Sequence, residues 1–480
     1  MERKILIFGE EYNQDWLNAQ SAREILEEAY KKINISSETN IDTILFVLEK
    51  VSKAWLDPQY HLRQKALEYL ISNTSFSEVM IEKSFEYISL FCSKNYNIER
   101  INTELGSIEY LNSFCKHSTN LQSNALSQES SLQADEIGVE IHKNKISNNH
   151  NNKSFFLSTR PKGVILNINQ GNQYFEIIEN LIPAILTKNI NIIKISDENY
   201  YLMHLFLESI KEFDEQNIIF QNQTLLFGNN NNDIEEIIYN GVDTICFNGD
   251  LENLNILKSK IKYNIKIIEN VYSFSFAVIE GKYIKQIINS DSLYNLAKDI
   301  CIWNQKTSFS PHVIYVIDKD LKSTHLLIES LFDKMIQIND DIPNGNLTFD
   351  EKVDIRRIRE KSKISQVLGE GRLVCPDDFS FTLILEYNPR FKISCMNRTL
   401  FVKRVLNLDG LFEQLLPFSG KLNTSGIYVS DELKKDIERD FINLGIKRIT
   451  NIGEMCKKHI WQPINGYFLL RELVDWVTLI

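Results

Sequence analysis

The segment from 163 to 280 constrains the fold most, because short apolar runs alternate there with amphipathic stretches of helical period. It begins with VILNIN, YFEIIENLIPAIL, INIIKI and YLMHLFLESIKEF, and it continues with DTICFN and IKIIEN. Strands separated by helices of this length are typical of parallel βαβ units. The pattern predicts a parallel sheet covered by helices, and Pro183 predicts a kink in the first of those helices.

A second α/β region and a helical beginning complete the predicted architecture. After Ser275 the strand-like runs SFAVIE, HVIYVID, FTLILEY, LFVKRV and GIYVSD are separated by the helical stretches HLLIESLFDKMI and ELKKDIERDFINL. Between 42 and 56 four apolar residues fall on one helical face, with Asp42 placed to cap the start. These four are Leu45, Leu48, Val51 and Trp55. We therefore predict an α/β protein with a helical N-terminal region.

Composition excludes several classes of function. The formal net charge of -11 and the absence of a Lys/Arg run argue against a nucleic-acid partner. No apolar stretch approaches the roughly 20 residues of a membrane helix, and residues 1–12 do not resemble a signal peptide. The sequence therefore predicts a cytoplasmic protein without a membrane span.

The seven cysteines are scattered and contain no C-x-x-C pair. This pattern argues against a disulfide framework and against a zinc site, so we predict no metal. The cysteines fit a reducing compartment, in which most of them would be small buried side chains.

Common catalytic fingerprints are missing from the sequence. G-x-G-x-x-G, G-x-x-x-x-G-K-[ST], G-x-S-x-G and H-E-x-x-H do not occur. Ser308 with His312 four residues later is the nearest approach to a nucleophile and its base. The alternative interpretation of His312 is an ordinary strand histidine, and both stay open.

Three blocks carry a resemblance to a known family. PKGVILNINQGNQYFEIIENLIPAILTKNINIIKIS resembles a segment of the LuxC-type long-chain acyl-CoA reductases, which belong to the aldehyde dehydrogenase superfamily. NTELGS and GIKRITNIGEMCKKHIWQPINGYFLLRELVDWV are similar to earlier and closing blocks of the same family. In the closing block the family's His-Asp-Gly turn is replaced by Ile464, Asn465 and Gly466.

The resemblance implies roles for three residues. It assigns Asn172, in the Gly-Asn turn after VILNIN, to the oxyanion of the substrate carbonyl. It assigns Lys194 to the ribose or phosphate of a nicotinamide cofactor, and Gly249 in CFNGD to close approach of the diphosphate. The alternatives are a simple strand-to-helix turn at Asn172 and an ordinary surface lysine at Lys194.

The most consequential departure lies in ICIWNQKTSFSPHVIYV. The family pattern is Asn or Asp, Gln, two variable residues, a nucleophilic Cys, one residue and Ser; here Ser308 replaces the cysteine. A serine hydroxyl stays protonated unless a positioned base takes its proton, whereas a thiolate forms readily. A barrier higher by roughly 4 kcal/mol would slow acylation about a thousandfold.

Two further residues near expected site positions have ordinary interpretations. Cys301 precedes the turn in an apolar helical run, where core packing is the favoured interpretation. Glu269 lies near the position of a general base in many aldehyde dehydrogenases, and an exposed strand-end glutamate is the favoured alternative.

The resemblance also predicts the domain organisation, an aldehyde-dehydrogenase-like α/β fold. Residues 1–116 would form the helical N-terminal part of the cofactor-binding domain, and 117–154 a linker or oligomerisation hairpin rich in Ser, Asn and Gln. Residues 155–275 would be a Rossmann-like cofactor-binding domain, 276–455 the catalytic α/β domain, and 456–480 a C-terminal segment.

Two functions follow from the resemblance. The first is NADPH-dependent reduction of a long-chain acyl thioester, carried by coenzyme A or an acyl carrier protein, to the aldehyde through an acyl-enzyme. The second is a catalytically impaired homologue that binds or regulates an acyl-activating enzyme such as an acyl-protein synthetase. A homo-oligomer is expected in either case. A serine hydrolase using Ser308 is a third possibility, and it would need a base within about 3 Å of the hydroxyl.

Overall fold

The computed structural model describes residues 4–117, 155–170, 174–228, 231–262, 264–460 and 462–480. Apart from its first residue, the predicted linker or hairpin of 117–154 lies outside the described residues. Asn172 also lies outside them.

The first part of the described chain is mainly helical, as predicted, and it also contains strands. Its elements are β1 (Lys4–Ile7), β2 (Glu10–Asn13), α1 (Ala19–Ser37), α2 (Ile41–Leu56), α3 (His61–Asn73), α4 (Glu78–Cys92), α5 (Lys94–Leu105) and β3 (Cys115–His117).

Helix α2 shows why this region folds as the sequence indicates. Leu45, Leu48, Val51 and Trp55 are fully buried, which confirms the predicted apolar face. The indole Nε1 of Trp55 donates a hydrogen bond to Ser209 Oγ at 3.0 Å, so the buried N–H is satisfied.

The predicted cap of α2 is wrong by two residues. The side chain of Asn40 accepts a hydrogen bond from the backbone N–H of Asp42 at 2.8 Å. Asp42 lies in the first turn of α2, where its negative charge faces the positive end of the helix dipole.

Strands and helices then alternate. The elements are β4 (Phe155–Pro161), β5 (Val164–Asn169), α6 (Tyr174–Leu186), β6 (Ile190–Ile195), α7 (Asp197–Phe213), β7 (Gln223–Phe227), α8 (Asn232–Asn240), β8 (Thr244–Gly249), α9 (Leu251–Lys260) and β9 (Lys266–Val271). Helix α6 continues through Pro183 to Leu186.

Within the described ranges, the first sheet has seven strands in the order β2-β1-β7-β6-β5-β8-β9. Strands β7, β6, β5, β8 and β9 are parallel to one another, and β1 pairs antiparallel with β2 and β7. Every residue of β5 and β6 is buried because helices cover both faces, which accounts for the predominance of Ile, Leu and Val over polar residues in both strands. The predicted parallel sheet is confirmed.

The second α/β unit follows directly. Its elements are β10 (Phe274–Glu280), α10 (Ile284–Ile288), α11 (Asp291–Cys301), β11 (Pro311–Ile317), α12 (Lys322–Asp341), α13 (Phe349–Val367), β12 (Gly371–Val374), β13 (Thr382–Glu386), β14 (Thr399–Val405), α14 (Leu408–Leu415), β15 (Leu422–Tyr428), α15 (Asp431–Asn443) and β16 (Arg448–Asn451). The strand order of this second sheet is β12-β13-β14-β11-β10-β15-β16. Among its described strands, only β12 runs antiparallel to the strand beside it. The boundary predicted at 275 falls inside β10.

The C-terminal segment returns to the first unit. After β16 come α16 (Leu469–Glu472) and β17 (Val474–Leu479), and β17 pairs antiparallel with β4 in a small sheet of order β17-β4-β3. The N–H of Leu470 donates to the buried Glu104 carboxylate at 2.7 Å. The stretch between β16 and α16 therefore passes between the two α/β units.

Candidate functional site

The turn that contains Ser308 is held in a strained conformation. A short 3-10 helix of Ile302–Gln305 precedes it, and β11 follows. Trp303, Asn304 and Gln305 all have positive φ values, of 59°, 50° and 59°. Three consecutive non-glycine residues in the left-handed region are unusual and require support from their surroundings.

A second left-handed run supplies that support. Met396, Asn397 and Arg398 have φ values of 59°, 51° and 58°. The N–H of Asn397 donates to Asn304 O at 2.8 Å, and Arg398 Nε donates to Asn304 Oδ1 at 2.9 Å. The fully buried guanidinium also donates to Asn339 Oδ1 and to Ile342 O, so it ties the turn to the end of α12.

Ser308 itself is partly exposed, and only its backbone is anchored. Its carbonyl oxygen accepts a hydrogen bond from Ser275 Oγ at 2.6 Å. The described residues supply no hydrogen-bond partner for the Ser308 hydroxyl group. The structure therefore shows no base, among these residues, that would activate the hydroxyl.

Neither candidate base from the sequence contacts Ser308. His312 is buried on β11, where its Nδ1 lies 2.8 Å from Ser394 Oγ and accepts from the Ser394 N–H at 3.3 Å. Burial lowers the pKa of His312 to about 4, so its imidazole is neutral at pH 7. Glu269 is half-buried inside β9, not exposed at the strand end as predicted, and it forms an ion pair with Lys258 at 2.6 Å.

Cys301 is a core residue, as predicted. It is fully buried at the end of α11, and its Sγ lies 3.5 Å from Met335 Sδ. Burial raises the pKa of its thiol to about 11, and the side chain lies in the core and does not line the cavity described below.

A cavity lies beside the Ser308 turn, where the two α/β units and the C-terminal segment meet. The gap is narrow: its free volume is about 10 Å³, room for about one water molecule. The side chains that line it come from α4, α6, the Ser308 turn and the stretch after β16: Tyr87, Phe175, Glu176, Trp303, Thr307, Phe309, Cys456 and Lys458. Four of the eight are aromatic, and their rings pack closely, with 4.8 Å between the Phe175 and Trp303 centroids. The cavity combines an apolar wall with a thiol, a carboxyl group and an amine.

The charged groups of the cavity have distinct environments. Burial raises the pKa of Glu176 to about 7, against the opposing attraction of Lys458. Lys458 forms an ion pair with Glu179, and its ammonium lies 5.8 Å from the centroid of the Phe309 ring. Glu176 can therefore exchange a proton near neutral pH.

The cavity thiol contacts the Ser308 turn directly. Cys456 Sγ lies 3.6 Å from Ser310 Oγ, which lies 3.1 Å from Thr307 Oγ1. The N–H groups of Met455 and Cys456 each donate at 3.1 Å to the carboxylate of Asp299. Burial, reinforced by Asp299, raises the pKa of the Cys456 thiol.

The predicted cofactor residues flank the end of β5. Asn169, the last residue of β5, pairs with Ile195 of β6 on one side and with Asn248 of β8 on the other. Lys194 and Gly249 thus lie on the two strands that flank β5. Carboxyl ends of parallel strands are where α/β sheets bind ligands.

Lys194 is not an ordinary surface lysine. It is buried at 8% exposure, and its ammonium forms an ion pair with Glu235 and donates to Tyr239 Oη at 2.8 Å. Lys260 also contacts Glu235, at 2.9 Å. A cofactor hydroxyl or phosphate that binds Lys194 would therefore share the Lys194 ammonium with the Glu235 carboxylate.

Gly249 closes the other side of the same edge. A Cβ at this position would lie 2.8 Å from Phe247 Cζ and 3.0 Å from Gln170 Oε1. Helix α9 begins two residues later and is capped by Asp250, which accepts from the N–H of Asn253 at 2.8 Å. Because Gly249 has no side chain, a small space remains at the end of β8, and a side chain at this position would fill it.

A family model described as acyl-CoA reductase (LuxC) matches residues 36–126 and 127–476. The chain belongs to this family. Two similar relatives are named long-chain acyl-protein thioester reductase. That of Photobacterium phosphoreum is 23% identical over 459 residues, covering 94% of this chain and 83% of the relative. That of Aliivibrio fischeri is 21% identical over 434 residues, covering 88% and 79%.

Solved structures confirm the aldehyde-dehydrogenase-like fold of this LuxC-family chain. Glyceraldehyde-3-phosphate dehydrogenase GapN from Methanocaldococcus jannaschii, complexed with NADP, has a TM-score of 0.65 at 13% identity and covers 96% of this chain and 94% of its own. A lactaldehyde dehydrogenase has a TM-score of 0.64 at 14% identity and covers 96% and 91%.

Within the described ranges, no group of three or more His, Cys, Asp or Glu side chains is arranged to hold a metal ion. Among the same residues, no helix has the length and apolarity to cross a membrane.

Sequence reasoning missed Glu176, Cys456 and Lys458 as site residues of this LuxC-family chain. Cys456 and Lys458 lie within the closing block that resembles the family, and Glu176 lies within the block after VILNIN. The sequence shows both blocks, but no motif spacing along the chain indicates that their side chains meet in one cavity. The roles of Ser308, Asn172, Lys194 and Gly249 stay predictions.

Proposed function

We propose that the chain reduces a long-chain fatty acyl thioester to the aldehyde, with NADPH as reductant and an acyl-enzyme as intermediate. The observation that carries this proposal is the cavity between the carboxyl edge of the first sheet and the Ser308 turn. Its aromatic rings would contact an acyl chain, and its thiol and carboxyl group the thioester, once the rings move apart to admit the substrate. Family membership and the relatives' names support the same reaction.

The residues at the sheet edge fit a nicotinamide cofactor. Gly249 leaves the backbone open at the carboxyl end of β8, and Lys194 supplies a buried cation two strands away. When bound, the cofactor supplies the hydride. The ammonium groups of Lys194 and Lys260 favour NADPH because they would attract its 2′-phosphate. The Glu235 carboxylate, which contacts both, would repel that phosphate. A direct comparison of NADPH with NADH tests this preference.

Asn172 remains the proposed donor to the oxyanion. It follows β5 in sequence, and Gln170 at the start of that turn is fixed by its N–H, which donates to Asn248 O at 2.9 Å. An amide held at this edge would stabilise negative charge that develops on the substrate oxygen only during attack.

A second candidate function rests on the Ser308 hydroxyl. Because no base among the described residues contacts it, the serine is a poor acyl acceptor. This observation favours a homologue that binds an acyl group without turning it over, in the service of an acyl-protein synthetase.

The proposed substrate is an acyl-CoA or an acylated protein, and the proposed assembly is a homo-oligomer. The small sheet supports the oligomer because β17 exposes apolar side chains, including Trp476 at 44% and Leu479 at 53%. Light scattering on the purified chain and on a Trp476→Lys variant tests this point.

The test of function is aldehyde production from tetradecanoyl-CoA with NADPH, measured together with NADPH consumption at one equivalent per aldehyde. The parent is compared with a Ser308→Cys variant. Aldehyde from the parent supports the reductase. Aldehyde from the Ser308→Cys variant alone supports the impaired homologue. If both proteins are folded and neither makes aldehyde, the reductase function is refuted for this donor.

A further inference from the structure

The cavity contains a thiol that the family pattern does not predict. Cys456 lies on the stretch that passes between the two α/β units, about 150 residues after Ser308. Its Sγ contacts Ser310, two residues beyond Ser308, so the thiol borders the same turn. Among the described residues that line this cavity, Cys456 is the one cysteine.

The thiol is held in place by its backbone. Both carboxylate oxygens of the buried Asp299 accept hydrogen bonds from the consecutive N–H groups of Met455 and Cys456. The thiol itself donates to Asp299 O at 3.5 Å. A residue fixed this way presents its sulfur to the cavity in one orientation.

A proton acceptor lines the same cavity. Glu176 receives one long hydrogen bond from a described residue, 3.5 Å from Asn248 Nδ2, so its carboxyl group is weakly engaged. Its pKa of about 7 leaves a large fraction able to accept a proton at neutral pH. Because burial keeps the Cys456 thiol protonated, such a base is what the thiol requires.

The remaining walls suit an acyl thioester. Tyr87, Phe175, Trp303 and Phe309 line the cavity beside the polar groups, and rings that part to admit a thioester would limit the access of water to it. Transfer between two sulfurs exchanges one thioester for another. Transfer to Ser308 would instead need a base that the described residues do not place at its hydroxyl.

We propose that Cys456 is the residue that accepts the acyl group, with Glu176 as its general base. The proposal rests on the reductase function proposed above and replaces Ser308 as the acylation site. Cys456 Sγ attacks the carbonyl carbon of the thioester and forms a new carbon–sulfur bond, while its proton passes to the Glu176 carboxylate. The bond from the carbonyl carbon to the donor sulfur breaks, and the donor leaves as a thiol after taking that proton. No oxidant or reductant enters this step.

The experiment separates acylation from reduction. The full chain is incubated with tetradecanoyl-CoA without NADPH, quenched in acid and analysed by intact mass and peptide mapping, with Ser308→Ala, Cys456→Ala and Cys395→Ala compared. Cys395 is a partly exposed cysteine outside the cavity, which makes its variant a matched control.

The expected result is a single adduct on Cys456 that neutral hydroxylamine removes. The adduct should persist in Ser308→Ala and Cys395→Ala and be lost in Cys456→Ala. Glu176→Gln should slow its formation at least tenfold. An adduct on Ser308 that survives Cys456→Ala overturns the proposal, as does aldehyde production by Cys456→Ala at the parent rate.

Two measurements keep the outcomes distinct. If Cys456 is acylated but no aldehyde forms with NADPH, the reductase function fails and the acyl-acceptor proposal stands. If aldehyde forms and Cys456 never carries an acyl group, the acyl-acceptor proposal fails and the reductase function stands. Should Cys456→Ala not fold, peptide mapping of the acylated parent decides: a hydroxylamine-sensitive adduct on Cys456 supports the proposal, and an adduct on another residue, or none, contradicts it.

Discussion

Replacing Glu176 by Gln should change how stability depends on pH. The folded-state pKa of this carboxyl group is about 7 and its ordinary value is 4.5. Between these values the folded state holds more protons than the unfolded state, so the free energy of unfolding falls as pH rises. The contribution is fully present below pH 4.5 and is lost as pH passes through about 7.

The magnitude follows from the rise in pKa. Each pH unit of the difference corresponds to 1.36 kcal/mol, so the parent should lose about 2–3 kcal/mol relative to Glu176→Gln between pH 5 and pH 8. The groups that face Glu176 are Lys458, which opposes the rise, Glu179, which adds to it, and Asn248, whose hydrogen bond opposes it. At pH 8 the variant should be the more stable protein.

The assay is urea unfolding followed by tryptophan fluorescence, because Trp303 lines the same cavity. The difference between the parent and Glu176→Gln is measured at pH 5, 6, 7 and 8. The control is Glu236→Gln, an exposed position on α8, which should differ from the parent by less than about 0.5 kcal/mol. A difference between parent and Glu176→Gln that stays constant from pH 5 to pH 8 would refute the reasoning.

Three further substitutions test the supports of the site. Arg398→Met should lower the free energy of unfolding by about 3–5 kcal/mol, since the buried Asn304 and the partly buried Asn339 and Ile342 all lose their donor, and denaturant unfolding measures it. Gly345→Ala should cost about 1–3 kcal/mol in the same assay, because its Cβ would lie 2.1 Å from the backbone oxygen of Ser75. Gly249→Ala should weaken NADPH binding at least tenfold in a fluorescence titration while the fold is retained. The new methyl group would displace the Phe247 ring into the space proposed for the cofactor diphosphate. An unchanged dissociation constant would show that the diphosphate lies elsewhere.

The sequence predicts the architecture well where local pattern and burial agree. Buried strands such as β5 and β6 are mostly apolar, and α2 has a single apolar face. The cap of α2 was misplaced because Asn40 and Asp42 are both good capping residues, and the backbone decides between them. The edge strand β2, whose residues EEYN are mostly exposed, carries no apolar alternation that predicts a strand.

The site is harder to predict because its residues are brought together by tertiary structure. Glu176 and Cys456 are about 280 positions apart, and they share a cavity only because the chain after β16 returns to the first unit. The raised pKa of Glu176 depends on its burial among residues of α4, the Ser308 turn and the C-terminal stretch, which no local pattern encodes. By contrast, the core role of Cys301 follows from its own helical run and was predicted correctly.

The strained turn explains how a thiol on another segment can take the place of the missing one. Three left-handed residues before Ser308 each cost of order 1–3 kcal/mol, and they persist because Arg398 and Asn397 hold them through Asn304. That geometry turns the Thr307 and Ser310 hydroxyl groups towards each other and towards Cys456. The turn therefore positions the cavity wall independently of which residue stands at 308. A sulfur nucleophile can enter the same space from the C-terminal segment, and the enclosure that protects an acyl-enzyme is unchanged.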